Sequence, residues 1–194
     1  MSYPKNTKLP ALKRIIDHIN GSKKFANLKD YQNAQYEAFQ EQKKKNGNWL
    51  VSDLITIGSP LTYASILLAN NSIEFEKLKE YREISTSPPD LDNKKLSYSS
   101  KSTGNQKMIA SAVFATTRWT NIYSSNKFLI FGDIISGPVA HLFGDSIQDI
   151  DINSDYNRKL FDHTKYWKNG FKMSSIDSIR GTLNLDELKS ECNV

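Results

Sequence analysis

Three short apolar runs, set apart by helical patterns and long polar connections, constrain what this chain can fold into. Trp49-Leu-Val-Ser-Asp-Leu-Ile-Thr-Ile57 is rich in β-branched residues and closes on Gly58-Ser59-Pro60, which predicts a strand. A second strand is expected within 114–123, centred on Arg118–Tyr123, and Ile147, Ile150 and Ile152 mark a third over 147–153. The near-continuous apolar end of the first run suits an interior strand covered on both faces, as in a parallel sheet. Strands separated by helices or long connections predict an α/β layer with a mostly parallel sheet of about three strands and flanking helices. Three strands are few. Such a sheet leaves two long edges and uncovered apolar faces, so something else is expected to complete it.

The helical patterns fill the intervals. Over 10–19, Leu12, Ile15, Ile16 and Ile19 share one face, and Pro10 suits a first helical turn. Over 28–45, Tyr31, Ala34, Ala38 and Phe39 share a face, with Lys43, Lys44 and Lys45 at the negative end and Asn46-Gly47 as the stop. A third pattern runs from Leu61 to Tyr81, and a fourth over 175–190 with Ile176, Ile179, Leu183 and Leu185. The polar stretch from Ser87-Pro88-Pro89-Asp90 to about Lys107 reads as the longest loop. These patterns predict a basic N-terminal helical segment over 1–27, one domain body over 28–170, and a C-terminal helix and tail over 171–194.

Composition excludes several classes. No apolar stretch reaches the length of a membrane-spanning helix, and the first ten residues lack the apolar core of a signal peptide, with mean hydropathy at −0.55. The single cysteine, Cys192, forbids an intrachain disulfide and a cysteine-based zinc site, and fits the cytoplasmic location expected for the chain. There is no glycine-rich phosphate loop, His-Glu-x-x-His or EF-hand loop, so neither a cofactor nor a metal is expected. The net charge of +5 is concentrated in the first fifty residues, which hold ten Lys/Arg against four Asp/Glu. Those cations lack interleaved aromatic residues and a helix-turn-helix pattern, which argues for a solvated helical face and against nucleic acid.

Two late segments carry candidate chemistry. Phe131-Gly-Asp-Ile-Ile-Ser-Gly-Pro138 follows the short apolar run Phe128-Leu-Ile-Phe131 and offers Asp133; Phe161-Asp-His-Thr-Lys-Tyr-Trp167 offers His163. With Trp49–Leu61, Thr117-Arg-Trp-Thr-Asn-Ile-Tyr123, Asp133–Val139 and Leu142-Phe-Gly144, the His163–Trp167 block resembles the C-terminal half of lipase- or esterase-like α/β-hydrolases, over roughly residues 28–168. The resemblance implies that 28–46 is the helix between the nucleophile strand and the next strand. It also implies that 50–58, the Trp119 run and 147–153 are the sixth, seventh and eighth strands, with Asp133 the catalytic acid and His163 the base. The residue types suit that chemistry. A serine hydroxyl needs an imidazole to take its proton, and the imidazole needs a carboxylate to hold its tautomer. The Gly-x-Ser-x-Gly turn that carries such a serine is absent from the 194 residues.

Competitors remain for each role. Asp145, Asp149, Asp151 and Asp162 are alternatives to Asp133; His141 reads as a surface or loop residue, and His18 as packed beside the first helix. Ser59 is followed by Pro60, which restricts it to extended conformations unsuited to a nucleophile turn, so it reads as a strand-end residue. Ser146 lies in Gly-Asp-Ser, a block resembling that of flavodoxin-like ester hydrolases, yet only 48 residues follow it and Leu160 stands three positions before His163 where aspartate is expected. The expectation is therefore an acid and a base for ester or lipid hydrolysis without a nucleophile. Activity would depend on a complementing N-terminal hydrolase half, or on a homo-oligomer partner. The alternative is a non-catalytic interaction protein built on the same scaffold.

Overall fold

The computed structural model describes residues 9–46, 51–92, 95–99, 104–125 and 135–151. Asp133, His163, the 128–131 run and the expected 175–190 helix lie outside the described residues. The chain mixes helices and strands around a three-stranded parallel sheet, a partial α/β arrangement. In chain order, α1 (Pro10–Ile19) and α2 (Leu28–Asn46) precede β1 (Asp53–Ile57). A 3₁₀ turn (Pro60–Tyr63), α3 (Ala64–Leu67), α4 (Ser72–Glu80), β2 (Ser97–Ser99) and β3 (Gln106–Met108) follow. A second 3₁₀ segment (Ala110–Ala115) leads to β4 (Arg118–Tyr123), α5 (Ala140–Phe143) and β5 (Ile147–Asp151).

The sheet order is β1-β4-β5. The Arg118 amide donates to the Ser52 carbonyl at 2.9 Å, and the Gly58 amide donates to the Ile122 carbonyl at 3.0 Å. Partners that advance together along both strands define parallel pairing. The chain divides into two compact units, and the division falls inside each of these strands. The first unit takes the chain through Leu54, then Ala64–Trp119 and Ala140–Gln148; the second takes Ile55–Tyr63, Thr120–Val139 and the chain from Asp149.

In the first unit, α1 and α2 pack through the faces that their periodicity predicts. Leu12 and Ile15 bury against Tyr31, Ala34 and Ala38, together with Ala112 and Ala115 of the 3₁₀ segment. No side chain of its own caps α1. Instead Glu41 of α2 accepts the Ala11 and Leu12 amides at 2.9 and 3.3 Å, satisfying donors that a helix start leaves orphaned. Gln35 is fully buried and donates to the Phe114 and Thr117 carbonyls at 2.7 and 3.1 Å, fastening α2 to the approach to β4. Arg118 grips Asp53 with two bonds of 2.7 and 2.9 Å, and its guanidinium lies 4.6 Å from the centroid of the Tyr36 ring.

Two expected elements differ. The helical pattern over 61–81 is broken into the 3₁₀ turn, α3 and α4. Asn71 accepts the Glu74 amide at 2.9 Å and becomes a fresh N-cap, and Asn70 donates to Glu74 through both its amide and its side chain. Such side chains bond the backbone locally and end a helix as readily as they start one. Those bonds from Asn70 also hold the Glu74 carboxyl below its ordinary range. The stretch expected to be a loop contains a hairpin: β2 and β3 pair antiparallel in the register Ser97↔Met108, Tyr98↔Lys107, Ser99↔Gln106. Its base is buried through Leu96 and Ile109, whose backbones bond at 3.0 Å.

The turn into β5 is bonded to the bend at Ser87. The Ser87 amide donates to Phe143 and the Ser146 amide to Ser87, at 2.8 and 3.0 Å. Gly144 occupies φ +119° beside that contact. Nearby, Phe75, Phe143, Trp119 and Phe114 form an aromatic chain with centroid spacings of 5.3–5.8 Å.

Tyr31 gives this unit a pH dependence. Burial raises its phenol well above the ordinary value; the nearby Ser146 hydroxyl opposes the shift, and the Asp145 charge adds to it. A raised value means the neutral phenol is favoured by folding. The stabilisation is complete below about pH 10, where the unfolded phenol is also neutral, and is lost as pH rises beyond it. Urea unfolding at about pH 9 and about pH 11 is expected to show a steeper loss in the wild type than in Tyr31→Phe. Equal losses would assign the alkaline sensitivity elsewhere.

Candidate functional site

In open α/β sheets ligands bind outside the carboxyl ends of the strands. Here those ends lie in the second unit, and a polar network organises them. Asn121 of β4 is at 0% exposure among the apolar neighbours Trp119 and Ile122. It accepts from the Thr56 hydroxyl of β1 at 2.9 Å, and donates to the Gly137 carbonyl at 2.9 Å and to Asp149 of β5 at 2.7 Å. Asp149 also accepts the Val139 amide through both oxygens, at 3.0 and 3.1 Å. Asp151 accepts the Ser125 amide at 3.0 Å. Gly137 lies so close to Thr62 that a Cβ there would meet the Thr62 hydroxyl oxygen at 2.8 Å.

These bonds fasten both flanks of the Asp133 segment to the end of β5. Ser125 is the last described residue before that segment and is held by Asp151; Val139, just after it, is held by Asp149. Asp151 is also the last described residue before the segment with His163. Ser125, just past the end of β4, is thus bonded to Asp151, the last residue of β5. Burial raises the Tyr123 phenol at this end above its ordinary value, and the Asp151 and Asp149 charges raise it further.

No family model, curated protein or solved structure matches this chain.

The remaining candidates are placed as follows. Asp133, His163 and Asp162 lie outside the described residues. Asp149 and Asp151 occupy the sheet end, with the Asn121, Val139 and Ser125 bonds already accounting for their position. Asp145 is exposed in the turn before β5, and His141 is exposed on α5. Ser59 follows β1 directly and its hydroxyl accepts the Leu61 amide at 3.4 Å. Ser146 is buried, and its side chain faces Tyr31. His18 meets Phe25 edge-on and Tyr31 at a tilt, with ring centroids at 5.0 and 5.2 Å. Among the described residues no group of His, Cys, Asp and Glu could hold a metal ion, and no helix is long and apolar enough to cross a membrane.

Sequence reasoning missed Asn121. Its signal was available: asparagine is disfavoured in strands, and one placed inside Trp119-Thr-Asn-Ile122 needs a polar partner at both neighbouring strands.

Proposed function

We propose that this chain supplies the acid, Asp133, and the base, His163, of a serine hydrolase acting on carboxylic esters or lipids. The nucleophile and the oxyanion donors would come from other polypeptide, since no Gly-x-Ser-x-Gly turn occurs in the sequence. The observation that carries the reading is the Ser125 to Asp151 hydrogen bond, which brings together the roots of the two segments bearing these residues. The parallel order β1-β4-β5 agrees with a sixth, seventh and eighth strand, and among the described residues β1 stands at the edge where a further parallel strand would add. In this scheme Asp133 holds one imidazole tautomer and His163 takes the serine proton.

Two measurements test the proposal. Nitrogen NMR of His163 is expected to show one dominant tautomer, lost in Asp133→Ala; unchanged tautomer populations would dismiss the pairing. Incubation with a fluorophosphonate is expected to leave the chain unlabelled. Covalent labelling of any serine in it would show that the nucleophile resides here after all.

A further inference from the structure

We infer that α3 and the first turn of α4 form a tip that enters the surface of a neutral phospholipid bilayer. The inference stands apart from the hydrolase reading, because it rests on a different set of residues. Ile66, Leu67 and Leu68 are 74, 61 and 52% exposed, and Ile73 is 70% exposed. Contiguous exposed aliphatic residues of this size mark interaction sites.

Their setting identifies the occupant. Charged residues make up 24% of the chain, yet none occurs in the tip itself, from Ala64 through Ile73. A solvated stretch of that length would carry about two at the chain's own rate, so the tip is poor in the groups that a bilayer excludes. The turn between the two helices, Leu68-Ala69-Asn70-Asn71, is uncharged, and its two asparagines suit the headgroup level. The tip is also held in shape. Ala64 and Phe75 are buried beneath it, and Asn70 and Asn71 tie the turn to Glu74. The aliphatic side chains therefore cannot turn inward without breaking those anchors.

Ile66 and Leu67 on α3 point in directions about 100° apart and Leu68 follows in the turn, so the three cover more than one face. A partner helix or groove would meet only one of those directions, whereas fluid hydrocarbon meets all of them. The charges that follow, from Glu74 to Arg82, are balanced, with Glu74, Glu76 and Glu80 against Lys77, Lys79 and Arg82. One pair, Lys79 with Glu76, is already closed at 2.8 Å. That balance gives no attraction to an anionic surface and selects a zwitterionic one. Helical surfaces of this kind seat their apolar groups about 5–10 Å into the headgroup boundary.

Flotation of the full chain with phosphatidylcholine vesicles tests this. The wild type is expected to float, equally at low and high salt. Ile66→Asp with Leu67→Asp, and separately Ile73→Asp, are expected to lower the floated fraction at least about ten-fold, as a charge at the hydrocarbon boundary requires. All of these positions are exposed, so thermal unfolding should match the wild type; if the double variant fails to fold, Ile73→Asp decides. Absence of wild-type flotation, or equal flotation of the variants, overturns the inference. So does flotation confined to phosphatidylserine vesicles and abolished by salt, which would assign binding to the basic N-terminal residues. Concentration-dependent dimerisation lost in the variants, without flotation, would give the tip to a second copy of the chain instead.

Discussion

Asn121→Leu is expected to destabilise the chain by about 3 kcal/mol or more, with most of the loss arising at groups that the substitution does not touch. The leucine fits the apolar neighbourhood, but it removes the donor that the Gly137 carbonyl and the Asp149 carboxylate share. Leaving the buried Gly137 carbonyl without this donor costs more than the bond itself contributes, and the Asp149 carboxylate, still held by the Val139 amide, loses one of its compensating donors. Denaturant unfolding measures the loss. A double-mutant cycle with Asp149→Asn separates the two causes: if Asp149 carries the penalty, the second substitution should recover a large part of it. Additive losses would locate the role of Asn121 in its bond from Thr56 instead.

Gly144→Ala is the second large effect, and its origin is steric. At φ +119° an L side chain is strained whatever the space, and here a Cβ would overlap the Ser87 carbonyl oxygen. That oxygen is itself bonded to the Ser146 amide, so it cannot retreat without breaking the contact that seats the turn into β5. A loss of about 2–4 kcal/mol is expected, against the gain of about 0.4–1 kcal/mol that the same substitution gives at a compatible glycine. Gly21→Ala serves as the comparison, since nothing lies within 4 Å of a Cβ there and only its φ of +74° opposes the change. Equal losses at the two positions would mean that backbone strain alone, and not Ser87, sets the cost.

What the sequence made legible was what periodicity encodes. The α1 and α2 faces and the three sheet strands could be read because apolar residues repeat at helical spacing or cluster in β-branched runs. The break between α3 and α4 was hidden because the apolar pattern continues through it, while the decision is made by the local bonds of Asn70 and Asn71. The β2–β3 hairpin was hidden for the opposite reason. Its strands are polar, and only Leu96 and Ile109 at its base enter the core. At the sheet end, Asp149 and Asp151 were visible only as rivals of Asp133. Their hydrogen bonds to Val139 and Ser125 join residues 10 and 26 positions away, a relation that no spacing rule contains.

The reach of Glu41 onto the first amides of α1 has a consequence for cooperativity. A ten-residue helix is too short to persist alone in water, and this one has no cap of its own. Its first turn is completed by a residue some thirty positions later, so α1 acquires a finished N-terminus only once α2 has wound as far as its fourth turn. The two helices thus form one opening unit. Fraying at the start of α1 and fraying near the end of α2 are the same event, and the N-terminal segment carries no stability that it could keep if that later helix were lost.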